Sequence, residues 1–201
     1  MTGKEPFDNF PISSKADAVK PFIVMDVMEQ AQDMERRGEH IIHLEVGEPD
    51  FDTPAPVVEA AIRALRDGRT HYTHSMGLLE LRYAIAEHYL DKYGVDVSPD
   101  QIIISNGTSP ALGMIFNTLV SPGDEVIMTD PHYACYPNFV LFADGVPRFV
   151  PVSEHLGFQY DADAVAEAIN PRTRAILCNS PSNPGGTVIP SPTLEKLAGL
   201  G

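Results

Sequence analysis

From Phe22 to Arg37 the apolar residues Phe22, Met25, Met28, Ala31 and Met34 recur every three positions. That spacing predicts a helix with one apolar stripe, turned to the core or to another subunit. Beyond it, two kinds of segment alternate. Short apolar runs, IIHLEV (41–46), QIIIS (101–105), DEVIMTD (124–130), PRFVPV (147–152) and RAILCN (174–179), predict strands. Between them lie segments of helical period. PAPVVEAAIRALRDG (54–68) and LLELRYAIAEHYLDKYG (78–94) both close on glycine, which readily takes the left-handed turn that ends a helix. Residues 109–120, part of ACYPNFVLFADG despite Pro137, DADAVAEAI (161–169) and TLEKLAG (193–199) complete the series. Residues 1–20 are polar and aperiodic and predict an arm.

Strands that alternate with helices predict an α/β chain: a mostly parallel sheet covered on both faces, a three-layer αβα sandwich. Ligands in such sheets bind beyond the carboxyl ends of the strands. Three strand exits carry unusual residues. In SNGTSPAL (105–112), Gly107 lets backbone approach a ligand, and Thr108 and Ser109 offer amides and hydroxyls at a helix start. That arrangement suits a phosphate, or serves as a plain helix cap. In DPHYACY (130–136), Tyr133 or Tyr136 either lays a ring over a planar ligand or packs at the sheet margin. In NSPSNPGG (179–186), two prolines stiffen a loop and hold Asn183 where its amide can donate. A single site built from all three exits would take a small aromatic phosphate, and pyridoxal phosphate fits.

The composition removes other classes. A formal net charge of -14 argues against nucleic acid and anionic membranes, because the summed field repels polyanions. No apolar run approaches a membrane span, and the N-terminus lacks the apolar stretch of a signal peptide. Two cysteines far apart, Cys135 and Cys178, form no disulfide framework and fit a cytoplasmic setting. HYTH (71–74) offers no third metal ligand, so no metal is expected. Neither a dinucleotide nor a triphosphate glycine motif occurs.

Together with VGEPDFDTP (46–54), YTHSMGLLELR (72–82) and PGDEVIMTDPHYACY (122–136), these motifs resemble the N-terminal part of a fold-type I aminotransferase of class I/II, similar to aspartate aminotransferases. The resemblance implies a pyridoxal-phosphate enzyme that moves an amino group between an amino acid and a 2-oxo acid. It implies an arm and small-domain segment over residues 1–50 and a cofactor-binding large domain over 51–201. By the same resemblance Gly107, Thr108 and Ser109 hold the cofactor phosphate, Tyr133 stacks on the pyridine, and Asn183 bonds the ring oxygen. Tyr72 would reach the phosphate of a neighbouring subunit, implying a homodimer, and Gly47 would contact the substrate carboxylate. Where the family usually has threonine in the Asn-Pro loop, this chain has Gly185.

The resemblance places the Schiff-base lysine and the aspartate facing the pyridine nitrogen after Asn183. None of Lys4, Lys15, Lys20, Lys92 and Lys196 matches that lysine. The chain is therefore expected to be an incomplete part of such an enzyme, inactive alone. A carbon–sulfur β-lyase or an aminocyclopropane-carboxylate synthase would share the same cradle, and so would an aminotransferase-like sensor domain of a regulator.

Overall fold

The computed structural model describes residues 12–201. They form two compact units: residues 12–23 with Ala111–Gly201, and Val24–Pro110. The predicted positions 1–11 of the arm lie outside the described residues.

In chain order the helices and strands are α1 (Ser14–Ala18), α2 (Ile23–Arg36), α3 (Ala55–Arg66), α4 (Leu79–Tyr93), α5 (Thr108–Leu119), β1 (Glu125–Asp130), α6 (Tyr136–Phe142), β2 (Val146–Pro151), α7 (Ala162–Ala168), β3 (Thr173–Ile176) and α8 (Ser191–Ala198). A 3-10 turn at Pro99–Gln101 follows α4.

The first unit is an α/β sandwich. Its sheet is parallel throughout, in the order β2-β1-β3. Central β1 is buried on both faces, as its continuous apolar run requires. Val126 and Met128 point to one side and pack with Phe116 of α5, Val120 just beyond it and Val140 of α6. Ile127 points to the other side, with Val150 of β2, Val165 of α7 and Leu197 of α8. Two helical layers therefore cover one sheet. Glu125 starts β1 with its carboxylate buried, accepting from Asn170 Nδ2 at 2.8 Å and Arg172 Nε at 2.9 Å. Those bonds, Asn170 first and Arg172 second, hold its pKa below the usual carboxylate value.

The outer edge of β2 is chemically blunted. Val146 N donates to Asp124 O, just before β1, and Val152 N to Asp130 O, at 2.8 and 2.9 Å. By the two-residue alternation of a strand, positions 147, 149 and 151 face away from β1. Two of those three are proline and carry no N–H, so the edge offers one outward donor to a foreign strand.

Residues 12–22 lie along α6. Lys15 pairs with Asp144 at 2.8 Å and donates to Phe142 O at 3.0 Å. Asn138 and the Lys20 backbone exchange bonds of 2.8 and 3.2 Å, and the Phe22 ring meets Tyr133 edge-on at 5.9 Å.

The second unit holds α2 from Val24 onward, α3, α4 and the 3-10 turn. Gly94, in the left-handed region at φ 67, closes α4 as the sequence predicts. Arg82 is buried and donates from Nη1 to Pro99 O at 2.9 Å, fixing the turn that leads into residues 102–105.

Two expected strands do not form. Residues 41–46 and 102–105 carry no ladder among the described residues. Ile42, Leu44 and Ile103 are 78%, 90% and 61% exposed. Alternating apolar residues prepare a segment for a sheet but cannot supply the neighbouring strand. Residues 102–105 are held instead by the bonds from Ile102 N to Pro99 O at 3.3 Å and from Ile104 N to Met76 O at 3.0 Å, and by the close approach of Gly77.

Candidate functional site

The carboxyl ends of β1 and β3, adjacent strands of one sheet, bring two predicted residues to the same margin. Tyr133 follows β1. Its half-buried ring stands edge-to-face against Phe22 and against Tyr136, the latter at 5.3 Å. The neighbouring Cys135 thiol, reinforced by burial, pushes its pKa up to about 12, so the phenol keeps its proton at neutral pH. His132 turns away from this margin, stacked on Phe149 at 5.0 Å with Nδ1 3.0 Å from Thr129 O.

Asn183 sits in the loop after β3. Ser182 N donates to Thr187 O at 2.8 Å and Gly186 N to Ser182 O at 2.7 Å, closing a tight turn around it. Ser180 Oγ accepts from Ile189 N at 3.0 Å and ties the start of the loop to its end. The Asn183 side chain is exposed and bonds to no described residue, leaving its amide free for a ligand.

Within this turn the two glycines differ. Gly186 has φ 69, a conformation that costs an L-residue strain, whereas Gly185 does not. A Cβ on Gly185 would meet only Ser182 Oγ at 3.7 Å and Thr187 Oγ1 at 3.9 Å, ordinary contacts. Gly185→Ala should therefore stabilise the fold by about 0.4–1 kcal/mol by restricting the unfolded chain. Gly186→Ala should destabilise it by about 1 kcal/mol or more. Urea titrations of both variants check this; equal shifts would show that backbone angle does not separate the two positions.

The remaining predicted residues begin with Gly47 and Tyr72, both exposed, in the Val24–Pro110 unit. Gly107, at φ 94 with open space where a Cβ would stand, precedes Thr108 and Ser109 in the exposed first turn of α5. Ser105, two residues earlier, has a buried Oγ with no partner. An orphaned hydroxyl, a glycine opening and the free amides of a helix start fit an oxygen-rich anion such as a phosphate. The sequence had not singled out Ser105, although it opens the quoted motif; a serine signals nothing until its burial is known.

Gly47 is preceded by a charged cluster that the sequence did not reveal. His43 Nδ1 lies 2.6 Å from Glu45 and Nε2 lies 3.0 Å from Glu35 of α2. The bond to Glu45, then that to Glu35, holds the His43 pKa above its ordinary value, while His43 pulls Glu45 below its own. Both nitrogens donate only in the imidazolium. Its stabilising contribution is complete below the unfolded pKa of about 6.5 and is lost as pH rises through the raised folded value. The stability gap between the wild type and His43→Gln should be open at about pH 6 and close by about pH 9. An unchanging gap in denaturant titrations would remove the charge from the explanation.

Among the described residues no three His, Cys, Asp or Glu side chains are arranged to hold a metal ion, and no helix is long and apolar enough to cross a membrane.

Aminotransferase class I and II, as a family, matches residues 39–200. The (5-formylfuran-3-yl)methyl phosphate transaminase of Methanocaldococcus jannaschii is 45% identical over 168 residues, 84% of this chain and 43% of that protein. The aspartate/prephenate aminotransferase of Thermus thermophilus is 42% identical over 189 residues, 94% of this chain and 49% of the relative. Among solved structures, the aspartate aminotransferase from Thermus thermophilus with maleate superposes with a TM-score of 0.91 at 42% identity, covering 95% of this chain and 50% of the other. An alanine aminotransferase from Pyrococcus furiosus gives 0.88 at 35% identity, covering 94% and 49%. The chain spans about half the length of the relatives it matches. A parallel three-stranded α/β sandwich with loops of this kind at its strand exits, matched by one family over residues 39–200, identifies the chain as a member of the aminotransferase class I and II family.

Proposed function

We propose that these residues belong to a pyridoxal-phosphate aminotransferase that passes an amino group between an amino acid and a 2-oxo acid. The observation that carries the reading is the pair at one sheet margin: the Tyr133 ring after β1 and the unbonded Asn183 amide after β3. Pyridoxal phosphate, when bound, supplies an electron sink for the carbanion formed as an amino acid loses its α-proton.

The chain's own residues bind and orient. Thr108 and Ser109 would hold the phosphate through amides and hydroxyls at the start of α5, with Gly107 giving room. Tyr133 would stack on the pyridine, and Asn183 would donate to the ring oxygen. Gly47 would meet the substrate carboxylate. Tyr72, fully exposed, would reach a neighbouring subunit, so a homodimer and a cytoplasmic setting belong to the same proposal. We also keep the division into a small-domain segment to residue 50 and a large domain from residue 51. The relatives' names, all transaminases, favour amino transfer over a lyase or a sensor role.

None of the four described lysines lies in the loops that follow β1 and β3. Lys15 pairs with Asp144, Lys20 follows α1, Lys92 lies over the Tyr93 ring and Lys196 is on α8. Binding to the 201-residue chain should thus be saturable and non-covalent. Absorbance titration with pyridoxal phosphate should saturate, compete with inorganic phosphate and weaken in Ser109→Ala and Asn183→Ala. Borohydride should trap no specific lysine adduct. No saturable binding, or an adduct that supports turnover, would sink the corresponding half of the reading.

A further inference from the structure

The ladder between β1 and β3 stops one rung short of the strand exits. Its last bond runs from Leu177 N to Ile127 O at 2.8 Å. With Ile127 opposite Ile176, the next rung would take Thr129 N–H to Leu177 O and Asn179 N–H to Thr129 O. Neither bond forms. The Tyr160 hydroxyl donates to Leu177 O at 3.1 Å and accepts from Asn179 N at 3.3 Å. A phenol can do both at once, replacing a carbonyl and an amide together.

We propose that Tyr160 is a positioning residue whose hydroxyl, inserted in place of the last β1–β3 rung, parts the two strands and sets the course of the loop that carries Asn183. The ring is locked where it stands. It packs against the cluster of Ile127, Val150, Val165 and Leu197. The next residue, Asp161, caps α7 by accepting from Asp163 N at 3.0 Å and Ala164 N at 3.2 Å. The helix start and the core therefore aim the phenol between the strands. Ligand crevices of open parallel sheets lie where neighbouring strands diverge at their carboxyl ends. Here α6 after β1 and α8 after β3 already cover opposite faces of the sheet, and the Tyr160 side chain adds to that divergence between the Tyr133 exit and the Asn183 exit. This inference rests on the proposed cofactor reading for its functional meaning.

The test is residue-resolved amide hydrogen exchange on the 201-residue chain, with Tyr160→Leu and Tyr160→Phe. Leucine keeps the apolar packing but does not reach the strands. The missing rung should then form, slowing exchange at Thr129 and Asn179 at least tenfold with Met128 unchanged. Phenylalanine, which keeps the ring and loses the hydroxyl, should speed exchange at Asn179 and leave Val152 as it is. A plain loss of packing would speed exchange across the whole sheet. That result overturns the proposal, as does a leucine variant whose Thr129 and Asn179 exchange as fast as in the wild type. If the leucine variant does not fold, the phenylalanine variant decides by the same local-against-global comparison. Pyridoxal phosphate titration separates the two readings. A wild-type chain that takes up none overturns the cofactor reading and leaves exchange to decide on Tyr160. Where the wild type binds, Tyr160→Leu with Asn183→Ala should bind no more weakly than Asn183→Ala alone, and additive losses would overturn the positioning role.

Discussion

Gly77→Ala should destabilise the Val24–Pro110 unit by about 2–4 kcal/mol, combining backbone strain with overpacking. Gly77 has φ 94, and a Cβ placed there would lie 2.4 Å from Ile104 Cγ1 and 2.5 Å from Ile104 Cβ. Those atoms sit close to the Ile104 backbone, so the isoleucine cannot swing clear by a side-chain rotation alone. Either Ile104 and its backbone shift or Gly77 leaves its turn, and the bond from Ile104 N to Met76 O goes with it. Gly107 is the internal control. It has the same φ, yet nothing stands where its Cβ would be, so Gly107→Ala should cost only about 1–2 kcal/mol, the strain alone. Chemical denaturation of the two variants gives the difference. Equal costs would mean that the Ile104 contact relaxes freely.

Phe116→Ala should cost about 3–5 kcal/mol, from lost transfer energy and the cavity left behind. Phe116 is 3% exposed and fills the space between α5 and the Val126–Met128 face of β1, with Val120 and Val140 beside it. Leu119, three residues along the same helix but 50% exposed, should lose about 1 kcal/mol or less on the same change. Thermal melts of both variants separate burial from helix propensity, since alanine is favourable at either position. A loss at Leu119 as large as that at Phe116 would place the core on the wrong face of α5. α5 also carries Thr108 and Ser109, the residues proposed to hold a phosphate, in its first turn.

The helices were legible because they report their own period. The stripe from Phe22 to Met34, the glycine closing LLELRYAIAEHYLDKYG and the apolar run of DEVIMTD each match an observed element within one or two residues. The strands were legible only where a partner follows nearby in the chain, as β1, β2 and β3 do. IIHLEV and QIIIS carry the same pattern and form no ladder among the described residues, since a strand is a property of two segments and a pattern belongs to one. Tyr133 and Asn183 could be singled out because strand exits are predictable in an alternating chain. Ser105, His43 and Tyr160 could not. A serine before a glycine, a histidine in an apolar run and a tyrosine before a capping aspartate say nothing until their neighbours are known.

By itself, then, the sequence determined the order of helices and strands, the α/β class and the loop chemistry that suits a phosphorylated ring, because periodicity, caps and turn residues act over a few positions. Tertiary structure alone decided which strands pair, that prolines face the free edge of β2, that His43 is clasped by two carboxylates, and that a phenol stands where the last β1–β3 rung would be. Each of those depends on groups far apart in the chain arriving within hydrogen-bonding reach, and no local pattern encodes that distance.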